Sequence, residues 1–235
     1  MKRMIAMGPM AGGLVAGALM AGGLSASATW AQQGASMPPH QAEAQLADYA
    51  DCVVSHKRFR VPVEQFLRTV PDSDGFFPAS MKAADMTCLN AAATRAHSKI
   101  EMRMQPASFR AALYPALYRR DYGITGPVAG IAALPPMRFA ADFDGDVAAL
   151  PPTYLPARAF GDCIARRAPQ QVHALLIARP YDKREDAAVE QLKPAMANCL
   201  SEGETVRVTR PTLRGSAGEA MYKLSRVAAA AAPAG

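Results

Sequence analysis

The chain has 235 residues, of which 50% are apolar, 20% are charged and 7% are aromatic. This length suits one or two domains, and the composition excludes disordered, collagen-like and cysteine-dense small proteins. The formal net charge is +6, and the basic residues are spread out without a run of five or more, so we expect no nucleic-acid partner. A long apolar stretch occurs only at the extreme N-terminus, which excludes a multispan membrane protein.

Residues 1–31 predict a secretory signal peptide. Lys2 and Arg3 precede an uncharged apolar stretch, and the small residues at 26–28 then form a cleavage signal. The alternative is an uncleaved anchor helix, but the six glycines of the stretch disfavour a stable membrane span. We therefore expect an exported protein, periplasmic or secreted, with no membrane span after signal cleavage.

The rest of the chain contains a repeated pattern of cysteines. Residues 51–53 (Asp-Cys-Val) match residues 162–164 (Asp-Cys-Ile), and residues 88–89 match residues 199–200 (both Cys-Leu). The two cysteines of each copy are 36 residues apart. The same order in two copies indicates an internal duplication.

A second matching segment follows in each copy. Arg110 and Arg214 each stand eight residues before a tyrosine that is followed by a basic residue. The matches divide the chain into repeat unit 1, at 42–122, and repeat unit 2, at 157–227.

The segment between the units, 123–156, has the composition of a linker. It carries six prolines and four glycines, and its apolar residues indicate that it lies against the units. The alanine-rich tail, 228–235, is expected to be disordered.

Each unit is predicted to contain three helices, one strand and a final helix. Alternating apolar and polar residues predict the strands at about 99–105 and 204–209. Ser108 and Thr212 are expected to cap the final helices. Apolar residues at helical spacing predict the other helices at about 42–56, 62–69 and 78–93 in unit 1, and from about 157, at 169–178 and at 183–200 in unit 2.

One strand in each unit cannot satisfy its own backbone hydrogen bonds. We therefore expect the two strands to pair centrally and antiparallel, across a pseudo-twofold axis that relates the units. The predicted class is α+β, mainly helical, with two duplicated helix-helix-helix-strand-helix units.

Four cysteines in an exported chain predict two disulfides, for which three connectivities exist. The duplication favours Cys52–Cys88 and Cys163–Cys199, because an ancestral single unit had to close its own pair. Each bond would close a loop of about 36 residues.

A metal site is the alternative interpretation of the first cysteine. Cys52 and His56 have the i, i+4 spacing that places two ligands on one helix face, but unit 2 has Arg167 at the position of His56. A redox-active dithiol is disfavoured as well, since reactive pairs are usually close in sequence. We expect no metal and no cofactor.

The sequence contains no recognisable catalytic motif. None of the four histidines falls at the same place in both units or belongs to a metal or nucleophile motif. Residues 142–146 (Asp-Phe-Asp-Gly-Asp) resemble the start of a calcium loop. The glycine is one place early and the glutamate of the twelfth position is absent, so we interpret the segment as an acidic turn.

Arg110 and Arg214 are the best polar candidates for a site. Both lie in the predicted first turn of a final helix, where the helix dipole disfavours a cation. One interpretation is an ion pair or carbonyl clamp inside each unit. The other is an anion-binding surface formed by two symmetric arginines.

The tandem pattern resembles a family of exported proteins. Its elements are Asp-Cys-Val or Asp-Cys-Ile, then Cys-Leu, then Phe-Arg or Leu-Arg followed by Leu-Tyr or Met-Tyr. It is similar to uncharacterised exported proteins of the sphingomonad-type alphaproteobacteria, over about 45–226. The resemblance implies no known activity.

The function that we expect is that of a non-enzymatic envelope protein, a disulfide-stabilised module that binds another envelope protein or an anionic ligand. The alternative is a hydrolase or transferase with a site between the units, which would need a pocket containing His173 or His97 beside a carboxylate. A third interpretation is a secreted inhibitor or toxin-like factor with a large exposed apolar patch.

Overall fold

The computed structural model describes residues 37–95, 105–200 and 208–231, which belong to one compact unit beginning at Met37. The predicted signal peptide lies outside the described residues. Short 3₁₀ turns occur in the described chain at Lys57–Phe59, Ile131–Ala133, Phe139–Asp142 and Val147–Ala149. The α-helices are α1 (Pro39–Ser55), α2 (Arg60–Arg68), α3 (Phe76–Ala83), α4 (Met86–Arg95), α5 (Pro106–Tyr122), α6 (Tyr154–Arg167), α7 (Pro169–Ile177), α8 (Lys183–Ala197) and α9 (Arg210–Ala231).

The α+β prediction is wrong, because the fold is helical and the described residues contain no strand. Most of the two predicted strands, 99–105 and 204–209, lies outside the described residues. Gln105 and Thr209, which are described, are the non-helical residues just before α5 and α9. An alternation of about six residues is too short to establish a strand when no partner pairs with its backbone. Helices, rather than paired strands, therefore form the centre of the fold.

That centre is the contact between α5 and α9, the most extensive helix pair among the described residues. Small residues let the two backbones approach closely: a Cβ atom on Gly215 would lie 2.8 Å from the Cβ of Ala111. A Cβ on Gly218 would lie 2.7 Å from Cγ of Pro115. The first helix of each unit packs on the last helix of the same unit, α1 on α5 and α6 on α9.

Two hydrophobic clusters flank this central pair. One is centred on Phe66 and Phe109 of unit 1, and the other is formed mainly by unit 2. The segment between the units contributes to the second cluster, where Ile131 and Phe139 are buried. Tyr222 of α9 packs against both clusters, so the two units share their core.

Both cysteine pairs that the duplication predicts are at bonding distance. The sulfurs of Cys52 and Cys88 are 2.11 Å apart, and those of Cys163 and Cys199 are 2.06 Å apart. The first bond ties α1 to α4, and the second ties α6 to the residues after α8. Two such bonds indicate an oxidising, non-cytoplasmic compartment.

Several helix boundaries differ from those expected. The third helix of unit 1 is broken into α3 and α4, because Ala84 is extended and Asp85 caps α4 by accepting a hydrogen bond from the backbone of Thr87 at 2.9 Å. Ser108 and Thr212 are not caps, since α5 begins earlier, at Pro106, a residue suited to a first helical position.

None of the described helices is both long and apolar enough to cross a membrane.

Candidate functional site

A cavity of about 460 Å³ lies between the first turns of α5 and α9, and α1 and α6 line its sides. We call it the helix-start cavity. Its size falls within the range of small-molecule sites, about 300–1,000 Å³. Three pairs of its lining residues hold matching positions in the two repeat units: Ala107 and Pro211, Ser108 and Thr212, and Ala111 and Gly215.

Small and aliphatic side chains create the space. Ala47 of α1, Ala112 of α5 and Ala157 of α6 end at their Cβ atoms, so the helices that meet here leave a gap that larger residues would fill. Leu46, Pro151 and Pro180 add further apolar surface. The wall is therefore mainly apolar, with a few polar groups.

The charged residues of the wall are four arginines and two glutamates. The balance is positive, and the start of a helix adds the partial positive charge of its free N–H groups. Each of these arginines also has a carboxylate partner: Arg119 pairs with Asp51, Arg158 with Glu219, Arg210 with Asp186, and Arg214 with Glu185. An anionic ligand would therefore share an arginine with the carboxylate that the arginine already contacts. The charged lining residues are Arg119, Arg158, Arg210, Arg214, Glu43 and Glu185.

Arg214 borders this cavity, and its guanidinium is bound by protein groups outside the cavity wall as well as by Glu185. Its guanidinium donates to the backbone carbonyls of Leu175 and Ala178, and its Nε lies 3.4 Å from Oε1 of Glu185. Burial lowers the pKa of Arg214 to about 10, because desolvation disfavours the charged guanidinium. The side chain still carries its charge at neutral pH.

Arg110 does not line the helix-start cavity. It is 2% exposed, and it donates to Glu219 at 2.8 and 3.1 Å and to the carbonyl of Leu67 at 3.3 Å. Leu67 and Ala178 both stand fifteen residues after the first cysteine of their unit, so each arginine clamps a matching carbonyl. An anion bound directly by Arg110 would have to displace these acceptors.

Glu219 is a buried charged residue next to the cavity wall that sequence reasoning missed. It is fully buried, with an exposure of 0%, and its carboxylate lies 2.7 Å from Nε of Arg158 and 2.6 Å from Nζ of Lys223. The Tyr154 hydroxyl donates to it at 3.3 Å. The repeat could not reveal it, since unit 1 has Pro115 at the matching position. The sequence feature that could have indicated Glu219 is that it is the single carboxylate within 215–221, a stretch of mostly small and apolar residues.

The ionisation of Glu219 depends on these cations. Burial alone would raise the pKa of Glu219, but Arg110, Lys223 and Arg158 hold it well below its usual range. Because Arg158 and Tyr154 also line the helix-start cavity, the buried carboxylate fixes two side chains of its wall.

A second cavity, of about 320 Å³, lies between α2, α5 and α9. We call it the lateral cavity. Its wall carries five basic and two acidic residues, and the aromatic rings of Phe59, Tyr114 and Tyr222. Several of the basic groups are paired: Lys223 with Asp142 at 2.6 Å, and Arg68 with Asp144. Two carboxylates of the acidic turn at 142–146 therefore form ion pairs with basic groups of this cavity.

The arrangement expected of a hydrolase or transferase is absent from the described cavities, because no histidine lines either of them. His173 is half-buried, its Nδ1 lies 2.9 Å from the Tyr118 hydroxyl, and burial lowers its pKa. His97 lies outside the described residues. Ser216 is inside α9 and donates to the carbonyl of Thr212 at 2.8 Å, as an ordinary helical serine does.

Cys52, His56 and Cys88 place a ring nitrogen and two sulfurs within 4.8 Å of one another. The sulfurs are bonded to each other, and a thiolate, not a disulfide sulfur, is the metal ligand. This group is therefore a disulfide beside an imidazole.

Comparison with protein-family models, with curated proteins and with solved structures found no match to this chain.

Proposed function

We propose that the protein is a non-enzymatic binding module of the bacterial envelope, periplasmic or secreted, and that its ligand occupies the helix-start cavity. The predicted signal peptide and the two disulfides support the location. The sequence resemblance supports a place among the exported alphaproteobacterial proteins named above.

The observation that carries the proposal is the composition of the cavity wall. Apolar groups from α1, α5 and α6 line most of it, while its charged groups are four arginines and two glutamates. A ligand with an apolar body and one anionic group, such as a medium-chain carboxylate, matches this surface. The competing function, a hydrolase or transferase, lacks a histidine base in either described cavity.

Filling the cavity tests the proposal. The probe is anilinonaphthalene sulfonate, an apolar anion that becomes fluorescent when bound, displaced by decanoate. We expect one saturable site in the natural protein and its loss in Ala157→Leu, since the new side chain would occupy the cavity. The matched control is Ala159→Leu, because Ala159 is an exposed alanine of the same helix that does not line the cavity.

The result that would overturn the proposal is equal binding by the two variants, or binding that does not saturate. A second variant tests the anionic group. Arg210 has the most exposed side chain of the four arginines, and the ligand carboxylate would share it with Asp186 and Glu185. Arg210→Gln should therefore weaken decanoate binding about tenfold and leave the binding of decanol unchanged. The control is Arg184→Gln, an exposed arginine outside the cavity.

A further inference from the structure

The two disulfides of this protein have different surroundings. Beside Cys52–Cys88, Nδ1 of His56 lies 3.8 Å from Sγ of Cys88 and 2.6 Å from Oδ2 of Asp85. Asp85 is 1% exposed and also accepts from Arg58 at 3.1 Å. An imidazole therefore contacts one sulfur of this bond, and a buried carboxylate holds the imidazole.

The start of the helix that carries Cys88 would also stabilise a thiolate at this cysteine. Cys88 lies in the first turn of α4, which starts at Met86, with Asp85 as its cap. The positive end of a helix dipole stabilises a thiolate at this position. If the bond is opened, Cys88 is therefore the sulfur that best carries the negative charge.

The second disulfide lacks each of these features. Cys199 comes after the C-terminal end of α8, where the dipole disfavours a thiolate. Arg167 stands where unit 1 has His56, and Met196 stands where unit 1 has Asp85. The chain thus contains its own control for the chemistry of the first bond.

We propose that Cys52–Cys88 is a redox-active disulfide that accepts electrons from an exported dithiol, whereas Cys163–Cys199 is structural. The exposure of the two cysteines indicates which sulfur is attacked. Cys52 is partly exposed, whereas Cys88 is 1% exposed. An incoming thiolate reaches the sulfur of Cys52 first and leaves Cys88 as the departing thiolate.

The exchange then proceeds in two balanced steps. The thiolate of the dithiol attacks Sγ of Cys52, the S–S bond breaks, and its electron pair goes to Sγ of Cys88, which leaves as a thiolate beside Nδ1 of His56 and then takes up a proton from water. The second thiol of the dithiol, as its thiolate, attacks the mixed disulfide and releases Cys52, which takes up a proton. The protein disulfide gains two electrons and two protons, and the dithiol becomes a disulfide.

Asp85 acts as a positioning residue for His56. Burial alone would raise the pKa of Asp85, but hydrogen bonds from Thr87, His56 and Arg58 hold it well below its usual range. The ionised carboxylate accepts from the imidazole and from the α4 backbone, which fixes the ring against Cys88.

Differential alkylation of the folded protein tests the proposal. The protein is incubated with dithiothreitol, quenched with a thiol-alkylating reagent at successive times, and mapped by peptide mass spectrometry while circular dichroism monitors the helices. We expect Cys52 and Cys88 to become labelled about tenfold faster than Cys163 and Cys199, because a stabilised thiolate is a better leaving group. Equal rates, faster opening of the second bond, or opening only with loss of helicity would overturn the proposal.

A matched pair of histidine variants tests the role of the imidazole. His56→Asn should slow the opening of Cys52–Cys88 about tenfold and leave the rate at Cys163–Cys199 unchanged. His173→Asn is the control, because His173 is also partly buried and its described contacts are with Tyr118 rather than with a sulfur. An unchanged rate in His56→Asn would contradict the assignment.

Discussion

Glu219 shows how one side chain links packing, charge and the site. A carboxylate with an exposure of 0% is unfavourable unless cations compensate it, and here three basic groups lie around it. Two of them come from other helices, Arg110 of α5 and Arg158 of α6. Removing the negative charge would leave Arg110 and Arg158 without their carboxylate partner, whereas Lys223 would keep its pair with Asp142.

Glu219→Gln should therefore destabilise the protein by about 3–5 kcal/mol, the usual cost of removing one partner of a buried ion pair. Urea unfolding at neutral pH measures the change. The control is Glu190→Gln, whose exposed pair with Lys193 contributes at most about 1 kcal/mol. Similar losses in the two variants would contradict the role given to Glu219.

The same residue predicts a dependence on pH. The pKa of Glu219 is lower in the folded state than in the unfolded state, so its stabilisation is present above the unfolded pKa of about 4.3 and is lost as the pH falls. We expect the free energy of unfolding to fall below about pH 4.3, and to fall less steeply in Glu219→Gln. Parallel curves for the two proteins would refute this.

At the scale of elements, the helix contacts are set by small residues at crossing points. A Cβ atom on Gly161 of α6 would lie 2.5 Å from the backbone carbonyl of Ser216 in α9. No side-chain movement relieves a clash with backbone. Gly161 therefore fixes how closely α6 approaches α9.

Gly161→Ala should destabilise the protein by about 1–3 kcal/mol, because the two helices must separate. Gly75→Ala is the matched control, since the nearest atom to its added Cβ lies at 3.7 Å. Thermal unfolding of the two variants measures the difference. A melting temperature in Gly161→Ala equal to that of the control would show that the crossing is not tight.

The sequence predicted most helices because their apolar periodicity is local information. It did not predict the break at Asp85, where a single capping residue overrides the periodicity of the segment around it. The strand predictions were wrong because a strand depends on non-local pairing. A short alternation of apolar and polar residues does not show whether another strand pairs with its backbone. The cavity could not be predicted either, because it depends on how Ala157 and Ala112 meet in space.

At the scale of the whole molecule, the two repeat units share a core and a cavity. Matching positions in the two copies, such as Ala111 and Gly215, meet where α5 crosses α9. The differences between the copies then supply the polar chemistry: Glu219 in unit 2, and His56 with Asp85 in unit 1. The expected duplication would account for the scaffold, and the differences between the two copies would account for the candidate sites.

The central claim is that an apolar anion binds where α5 and α9 begin. The most direct measurement is a titration with decanoate followed by backbone amide chemical shifts, with decanol as the neutral control. We expect saturable shifts in the first turns of α5 and α9 and around Ala157, and weaker binding of decanol. Shifts confined to the lateral cavity around Tyr114 and Lys223, or no saturable shifts, would contradict the account.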